Sequence, residues 1–373
     1  MHSFALAHAT GRQWKSITEK CLADLGGFEK RSGFKHLGLV YMTDNLAGDA
    51  EKILALLGDE TGIASWVGSV GMGICATGHE YFDEPALAVL VGEFPEGSFR
   101  LLELQDGPNA LPPELSNWVQ SRQSRFAVVH ADPRNGEIPE IIEALADQLN
   151  GFLVGGLTSS RSELSQFSGG VCSGGVSGVL LGEDVPVATA LSQSCIPIAP
   201  RHQITACEDN VLIELDGRPA LEIFKEDIGD LLARDLQRVA GYIFAALPIA
   251  HSDTGDYLVR NLTGIDVERN LLAIGEMVET GQSIQFCRRD AEAAEADLVR
   301  MLSGLSKRTD APPKGGLYFS CLARGPNMFG DASQELKIIE RELGDVPLVG
   351  FFCNGEISHR RLYTYTGVLT LFT

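Results

Sequence analysis

Leu348-Val349-Gly350-Phe351 lies between an amphipathic run, Asp331 to Gly344 (DASQELKIIERELG), and a second apolar run, Arg361 to Phe372 (RLYTYTGVLTLF). With Leu317 to Cys321 ahead of it, this stretch reads as strand, helix, strand, glycine turn, strand. The same order recurs twice upstream, around Trp66-Val67-Gly68-Ser69 and Leu153-Val154-Gly155-Gly156. In the first copy His36–Met42 reads as a strand, Leu46–Leu57 as a helix with Ile53, Leu54, Leu56 and Leu57 on its apolar side, and Ile63–Val67 as a second strand. In the second copy the elements are Phe126–His130, Ile138–Leu149 and Phe152–Val154, with a return strand, Val176–Leu181, reached through a long polar glycine-rich loop. A helix flanked by strands must bury its apolar stripe against them, so the repeat predicts an α/β (mixed α+β) protein. Its helices are expected to pack on mixed, largely antiparallel sheets.

Outside the repeats, Trp14, Ile17, Cys21, Leu22 and Leu25 fall at helical spacing ahead of Gly26-Gly27, which predicts a docking helix in an N-terminal extension, residues 1–35. Val187–Ser192, His202–Cys207 and Val211–Leu215 read as short strands closing a first domain, residues 36–218. Asp216-Gly217 signals a tight turn, and Pro219 suits the start of a helix. A second domain, residues 219–373, is expected to hold a helix around Ile228 to Arg238, several strands and the last repeat.

The chain has 373 residues, 50 acidic against 30 basic side chains and a formal charge of -20. That charge repels phosphate backbones and anionic lipid, so neither nucleic acid nor a membrane is an expected partner. No signal-peptide layout opens the sequence and no apolar run approaches the ~20 residues of a membrane helix, which predicts a cytoplasmic protein. The eight cysteines are scattered without zinc-ligand spacing and are expected as reduced thiols. GSVGMG after Val67 is not the dinucleotide fingerprint, no P-loop occurs, and GGVSGV is not a nucleophile elbow.

Two segments carry a family resemblance. Cys321-Leu322-Ala323-Arg324-Gly325, Phe329-Gly330, Glu335, the run Pro347 to Ile357 and Tyr365-Thr366-Gly367 resemble the C-terminal half of the FIST domain. Ser192 to Pro197 and Ile213 to Leu221 resemble the end of its N-terminal half. Ser194 and Ile196 depart from the glycine and arginine that commonly flank the cysteine between them. The resemblance implies an intracellular sensory module of signal transduction that binds a small molecule, with amino acids or similar metabolites as proposed ligands. It further implies action through a separate signalling protein such as a kinase or receptor. Some family members resemble haem-dependent nitric oxide sensors, so haem is an alternative to no cofactor.

The candidate residues follow from chemistry at strand ends. Arg324 can clamp a carboxylate with two parallel hydrogen bonds, or form a structural salt bridge with Glu335 or Glu340. Asn354-Gly355 reads as a hairpin turn that sets Glu356 at a strand mouth, to hold a ligand ammonium or to remain a surface carboxylate. Cys321 ends a strand beside them, with an inert buried thiol as its plainer role. Arg260 and Arg289 lie on strands of the second domain and either line a pocket or pair on the surface. Gly68 and Gly71 either let backbone amides approach a ligand or serve tight turns. The ligand is expected between the two halves. If haem is bound, His36 and His130 are the axial candidates. A hydrolase whose catalytic groups assemble only in space, and a scaffold with no pocket, are the remaining alternatives.

Overall fold

The structure is a computed structural model that describes residues 4–28, 31–104, 107, 111–236, 239, 241–249, 255–309 and 311–373. The chain forms two compact units. The larger ends at Gln193 and resumes from Glu295 to Thr373, and the smaller is Ser194–Ala294. The family-like boundary expected near residue 218 is therefore not where the chain divides in space.

The first repeat runs through β1 (Phe4–Thr10), α1 (Trp14–Leu25), β2 (Phe34–Thr43), α2 (Ala50–Thr61) and β3 (Trp66–Gly71). A hairpin of β4 (Gly73–Ala76) and β5 (His79–Phe82) and a return strand, β6 (Ala86–Pro95), complete it. The second repeat keeps that order: β7 (Phe99–Leu104), α3 (Pro113–Arg122), β8 (Phe126–Ala131), α4 (Ile138–Leu149), β9 (Phe152–Leu157), a hairpin of β10 (Gln166–Ser168) and β11 (Val171–Cys172), and β12 (Val176–Leu181). The third opens with β13 (Val187–Gln193) and is then interrupted by the smaller unit.

In the smaller unit lie β14 (Cys195–Pro197), β15 (His202–Glu208), β16 (Val211–Leu215), β17 (Arg218–Pro219), α5 (Ala220–Ala233), β18 (Ile243–Pro248), β19 (Tyr257–Asp266), β20 (Leu271–Ile274) and β21 (Ser283–Arg289). Antiparallel pairings run β21-β15-β16-β20-β19-β18 and return to β21, closing six strands into a ring. Leu221, Phe224 and Ile228 of α5 are buried with the core of that ring. The strands expected at residues 202–215 thus belong here and do not close the first domain. The expected end of the following helix, Arg238, lies outside the described residues.

The third repeat resumes with α6 (Ala291–Ser306), β22 (Gly315–Cys321), a short helix α7 (Pro326–Phe329), α8 (Gln334–Leu343), β23 (Leu348–Cys353), a hairpin of β24 (Glu356–His359) and β25 (Arg361–Tyr363), and β26 (Thr366–Phe372). The three repeats build three six-stranded sheets of identical plan: β1-β6-β2-β3-β10-β11, β7-β12-β8-β9-β24-β25 and β13-β26-β22-β23-β4-β5. Each sheet holds one parallel pair, β2/β3, β8/β9 or β22/β23, among antiparallel neighbours.

Each hairpin leaves its own repeat. β10 pairs with β3, β24 with β9 and β4 with β23, so the repeats exchange hairpins in a closed cycle. Their inner faces share one apolar core, and the helices cover the outer faces. The N-terminal segment is no extension. β1 and α1 stand where β7 and α3, or β13 and α6, stand in the other repeats, and Ile17, Cys21 and Leu25 are buried with Val40 and Met42.

The shared glycine explains why the repeat is legible. Gly68, Gly155 and Gly350 sit opposite Val40, Val129 and Tyr318 in the parallel pairs. A Cβ at any of the three would lie 1.7 Å from the carbonyl oxygen of the residue opposite. Only glycine lets these backbones meet. One position further along β2, β8 and β22 come Tyr41, His130 and Phe319, whose rings point inward and meet. Their centroids are 5.6, 6.0 and 6.2 Å apart, with Phe351 within 5.9 Å of all three.

Candidate functional site

At the C-terminal ends of β22 and β23 the third repeat carries buried polar groups on both faces of its sheet. Beneath α8, Arg324 and Glu335 are both 0% exposed and paired at 2.8 Å. Glu335 Oε1 also accepts from the hydroxyls of Tyr318 (2.6 Å) and Ser320 (3.0 Å), and Oε2 accepts from the Gly325 amide (2.8 Å). The Arg324 guanidinium donates to the Tyr318 hydroxyl at 3.2 Å and lies 4.9 Å from the centre of the Phe329 ring. Gly367 leaves room for this cluster, since a Cβ there would come within 2.2 Å of the Tyr318 hydroxyl. Of the two roles open to Arg324, the salt bridge to Glu335 is formed.

Glu80, on β5 and hence lent by the first repeat, adjoins this ion pair. Its Oε1 accepts from the Leu336 amide at 3.3 Å, while its buried Oε2 has no hydrogen-bond partner. Burial, and the neighbouring charge of Glu335, push its carboxyl up to about 8.

On the inner face stands Glu356, also 0% exposed and therefore not the surface carboxylate of the plainer reading. Its Oε2 accepts from the Thr366 hydroxyl (2.8 Å) and amide (3.1 Å), and its Oε1 has no hydrogen-bond partner. Burial pushes this carboxyl to about 8, so it keeps its proton at neutral pH. The Cys321 thiol hydrogen-bonds to this carboxyl, and burial holds both that thiol and Cys353 far above the usual range. These are inert thiols, not nucleophiles.

Asn354-Gly355 is not the hairpin turn. Ser358 pairs with Arg361, so the turn is His359-Arg360, with His359 at φ +58. Asn354-Gly355 crosses from one sheet to the next. The Asn354 amide donates to Leu157 O at 3.0 Å and Gly355 O accepts from the Leu157 amide at 2.8 Å, while the Asn354 residue itself is exposed. Gly68 lies within β3 for the packing reason given above. A Cβ on Gly71 would meet Gly73 O at 2.6 Å and Phe351 Cβ at 3.1 Å, so it too serves backbone packing. Arg260 and Arg289 belong to the smaller unit, where Arg260 pairs with Glu276 at 2.7 Å.

Family models match most of the chain: the FIST N domain over residues 36–218 and the FIST C domain over residues 220–359. The chain belongs to the FIST family. FIST domains are associated with sensing in signal transduction. Among similar proteins, uncharacterized protein Rv0628c of Mycobacterium tuberculosis strain H37Rv is 32% identical, the match covering 92% of this chain and 93% of that protein. Uncharacterized protein Mb0898c of Mycobacterium bovis is 30% identical over 88% of this chain and 92% of its own length.

The two histidines considered for haem differ in setting. His36 is half-buried beside the Phe28 ring, 5.2 Å between centres. His130 is 0% exposed, shares a 3.1 Å hydrogen bond with the Tyr41 hydroxyl through Nε2, and has its Nδ1 without a partner. Burial lowers it to about 3, so it is neutral. Enclosed by three aromatic rings, His130 offers no open face to a porphyrin. The described residues hold no group of three or more metal-ligating side chains, and no described helix is long and apolar enough to cross a membrane.

Glu80, Tyr318 and Thr366 of this FIST site were not singled out from sequence. The alternation of β5 and β22 marks Glu80 and Tyr318 as facing the helix side, but only the exchanged hairpin brings Glu80 to another repeat's ion pair. On the inner face the polar layer continues through Ser69 and Thr158 (2.9 Å between hydroxyls) and through Gln166 and Ser177 (3.0 Å). By register, Glu356 occupies in the third hairpin the place that Gln166 holds in the second and Ile74 in the first.

Proposed function

We propose that this FIST protein is a sensory module that binds an amino acid or a similar ammonium-bearing metabolite at Glu356 and signals through a separate protein. One observation carries the reading: a fully buried carboxyl whose Oε1 lacks a hydrogen-bond partner. A buried polar atom left without a partner costs about 1–3 kcal/mol, and a ligand ammonium would remove that penalty while drawing the proton off the carboxyl. Glu356 is neutral at pH 7 in the empty state and ionised in the bound one, so the site has two charge states.

Its strand, β24, belongs to a hairpin that the third repeat lends to the second, and displacement of that hairpin is how the bound state would be passed on. A ligand shifts such an equilibrium only by its differential affinity for the two arrangements.

The test is thermal unfolding in the presence of each standard amino acid, for the wild type and Glu356→Gln. At about a hundredfold excess over its dissociation constant a true ligand adds about 2.7 kcal/mol of stability. The reading requires at least one amino acid to raise the wild-type midpoint and to lose that effect in Glu356→Gln. No response from any of them, or an equal response in the variant, contradicts it.

A further inference from the structure

His202 on β15 is held between two carboxylates from different elements. Nδ1 lies 2.7 Å from Asp216 Oδ2, in the turn between β16 and β17, and Nε2 lies 2.9 Å from Asp227 Oδ2 on α5. His202 and the Asp227 side chain are each only 9% exposed. Asp216 is fixed in turn, since its Oδ1 accepts from the Gln203 amide at 2.8 Å. The turn has both Asp216 (φ +52) and Gly217 (φ +75) in the left-handed region, so the family-like Asp216-Gly217-Arg218 motif aims a carboxylate at the imidazole.

A carboxylate only accepts, and a neutral imidazole has a single N–H. Both contacts are satisfied together only when the site carries one more proton than a neutral imidazole with two carboxylates. Removing it sets a nitrogen lone pair against a carboxylate oxygen at hydrogen-bond distance.

We infer that His202, Asp216 and Asp227 form a proton-sensing latch that fastens α5 to the strands of the smaller unit and loosens as pH rises. Other charges near it among the described residues include Glu226 on α5, which binds Arg218, and Glu222, 3.8 Å from that same arginine. β21 presents only Ile284 opposite His202, and the adjoining Arg201 is exposed. Burial works against the imidazolium, but the hydrogen bonds and charges of the two aspartates outweigh it and hold His202 above its ordinary value. Two residues beyond Asp227, Gly229 leaves helical geometry at φ +77, ψ +161, giving α5 a break at which its last turn can pivot. The proton resides on the trio as a unit, because a protonated Asp227 facing a neutral imidazole would satisfy the same contacts.

A folded-state value raised above the unfolded one gives stability that is complete below about pH 6.5 and is lost as pH rises through the folded value. Each unit of elevation corresponds to about tenfold in the opening equilibrium of α5.

The experiment uses the full chain with ring-labelled histidine. The His202 resonance is found by its absence in His202→Gln, or, if that variant does not fold, by its shift in Asp227→Asn. It should titrate above 6.5, and hydrogen exchange of the α5 amides, corrected for intrinsic rates, should accelerate at least severalfold between pH 6.5 and 9. In the variants α5 should already exchange faster at pH 6.5 and respond less to pH. A resonance titrating at or below 6.5, or α5 protection constant across that range, overturns the inference. Neither outcome depends on whether Glu356 binds a ligand.

Discussion

At Arg324 the buried ion pair decides what substitution does. Arg324→Ala leaves Glu335 charged and dry, and breaking a buried pair from one side costs about 3–5 kcal/mol. Urea unfolding should show that loss, while Arg324→Met combined with Glu335→Leu should cost much less. A loss under 1 kcal/mol for the single variant would mean the pair is not desolvated.

His130 and Glu356 act on stability in opposite pH ranges. With His130 lowered to about 3, its contribution is present above the unfolded value near 6.5 and disappears as pH falls towards 3. His130→Phe, which keeps a ring among Tyr41, Phe319 and Phe351, should therefore resist acid unfolding better than the wild type. Glu356 is raised from 4.5 to about 8, so its contribution is complete below 4.5 and declines as pH rises to 8. Glu356→Gln should lose less stability across that interval in pH-dependent denaturation. From sequence Arg324, Glu356 and the pairing of Arg324 with Glu335 could be named, but not the rest of their surroundings. Glu335 stands eleven residues from Arg324 and was a foreseeable partner. The full burial of Glu356 depends on β9, two hundred residues earlier, to which no local pattern points.

Among the elements, the parallel pairs and their covering helices follow from local patterns, and the hairpins do not. A glycine after an apolar Leu-Val or Trp-Val pair marks the close contact between parallel strands in every repeat. Gly350→Ala should abolish folding, because its Cβ would meet the Tyr318 carbonyl at 1.7 Å, whereas Gly170→Ala, with nothing within 4 Å, should be nearly neutral. Expression and circular dichroism of the two variants compare them directly. Asn354-Gly355 misled for a physical reason. Asn-Gly favours the dihedral angles of a tight hairpin, but here hydrogen bonds to Leu157 hold the dipeptide as a crossing between sheets. Short strands such as β10 and β24 carry too few residues to disclose which sheet they will join.

For the whole molecule, the recognised family limits follow the sequence, while compactness follows the exchanged hairpins and the late pairing of β23 with β4 and of β26 with β13, strands formed earlier in the chain. The smaller unit is inserted between β13 and the body of α6. The Gln193 amide donates to Asp297 Oδ2 at 2.8 Å, so the two ends of the insertion lie together in the larger unit. Replacing residues 195–293 by a short Gly/Ser linker should leave a three-sheet unit that unfolds cooperatively in urea, and a molten product would show that the repeats need the insertion. Sensing, the central claim, rests on a neutral Glu356 that ionises when an ammonium arrives. Infrared difference spectroscopy of wild type minus Glu356→Gln at pH 7, before and after addition of the amino acid that raises the unfolding midpoint, tests it most directly. The account predicts a protonated-carboxyl C=O band that is present without ligand and replaced by carboxylate bands with it; no such band, or one that persists unchanged in the complex, would contradict it.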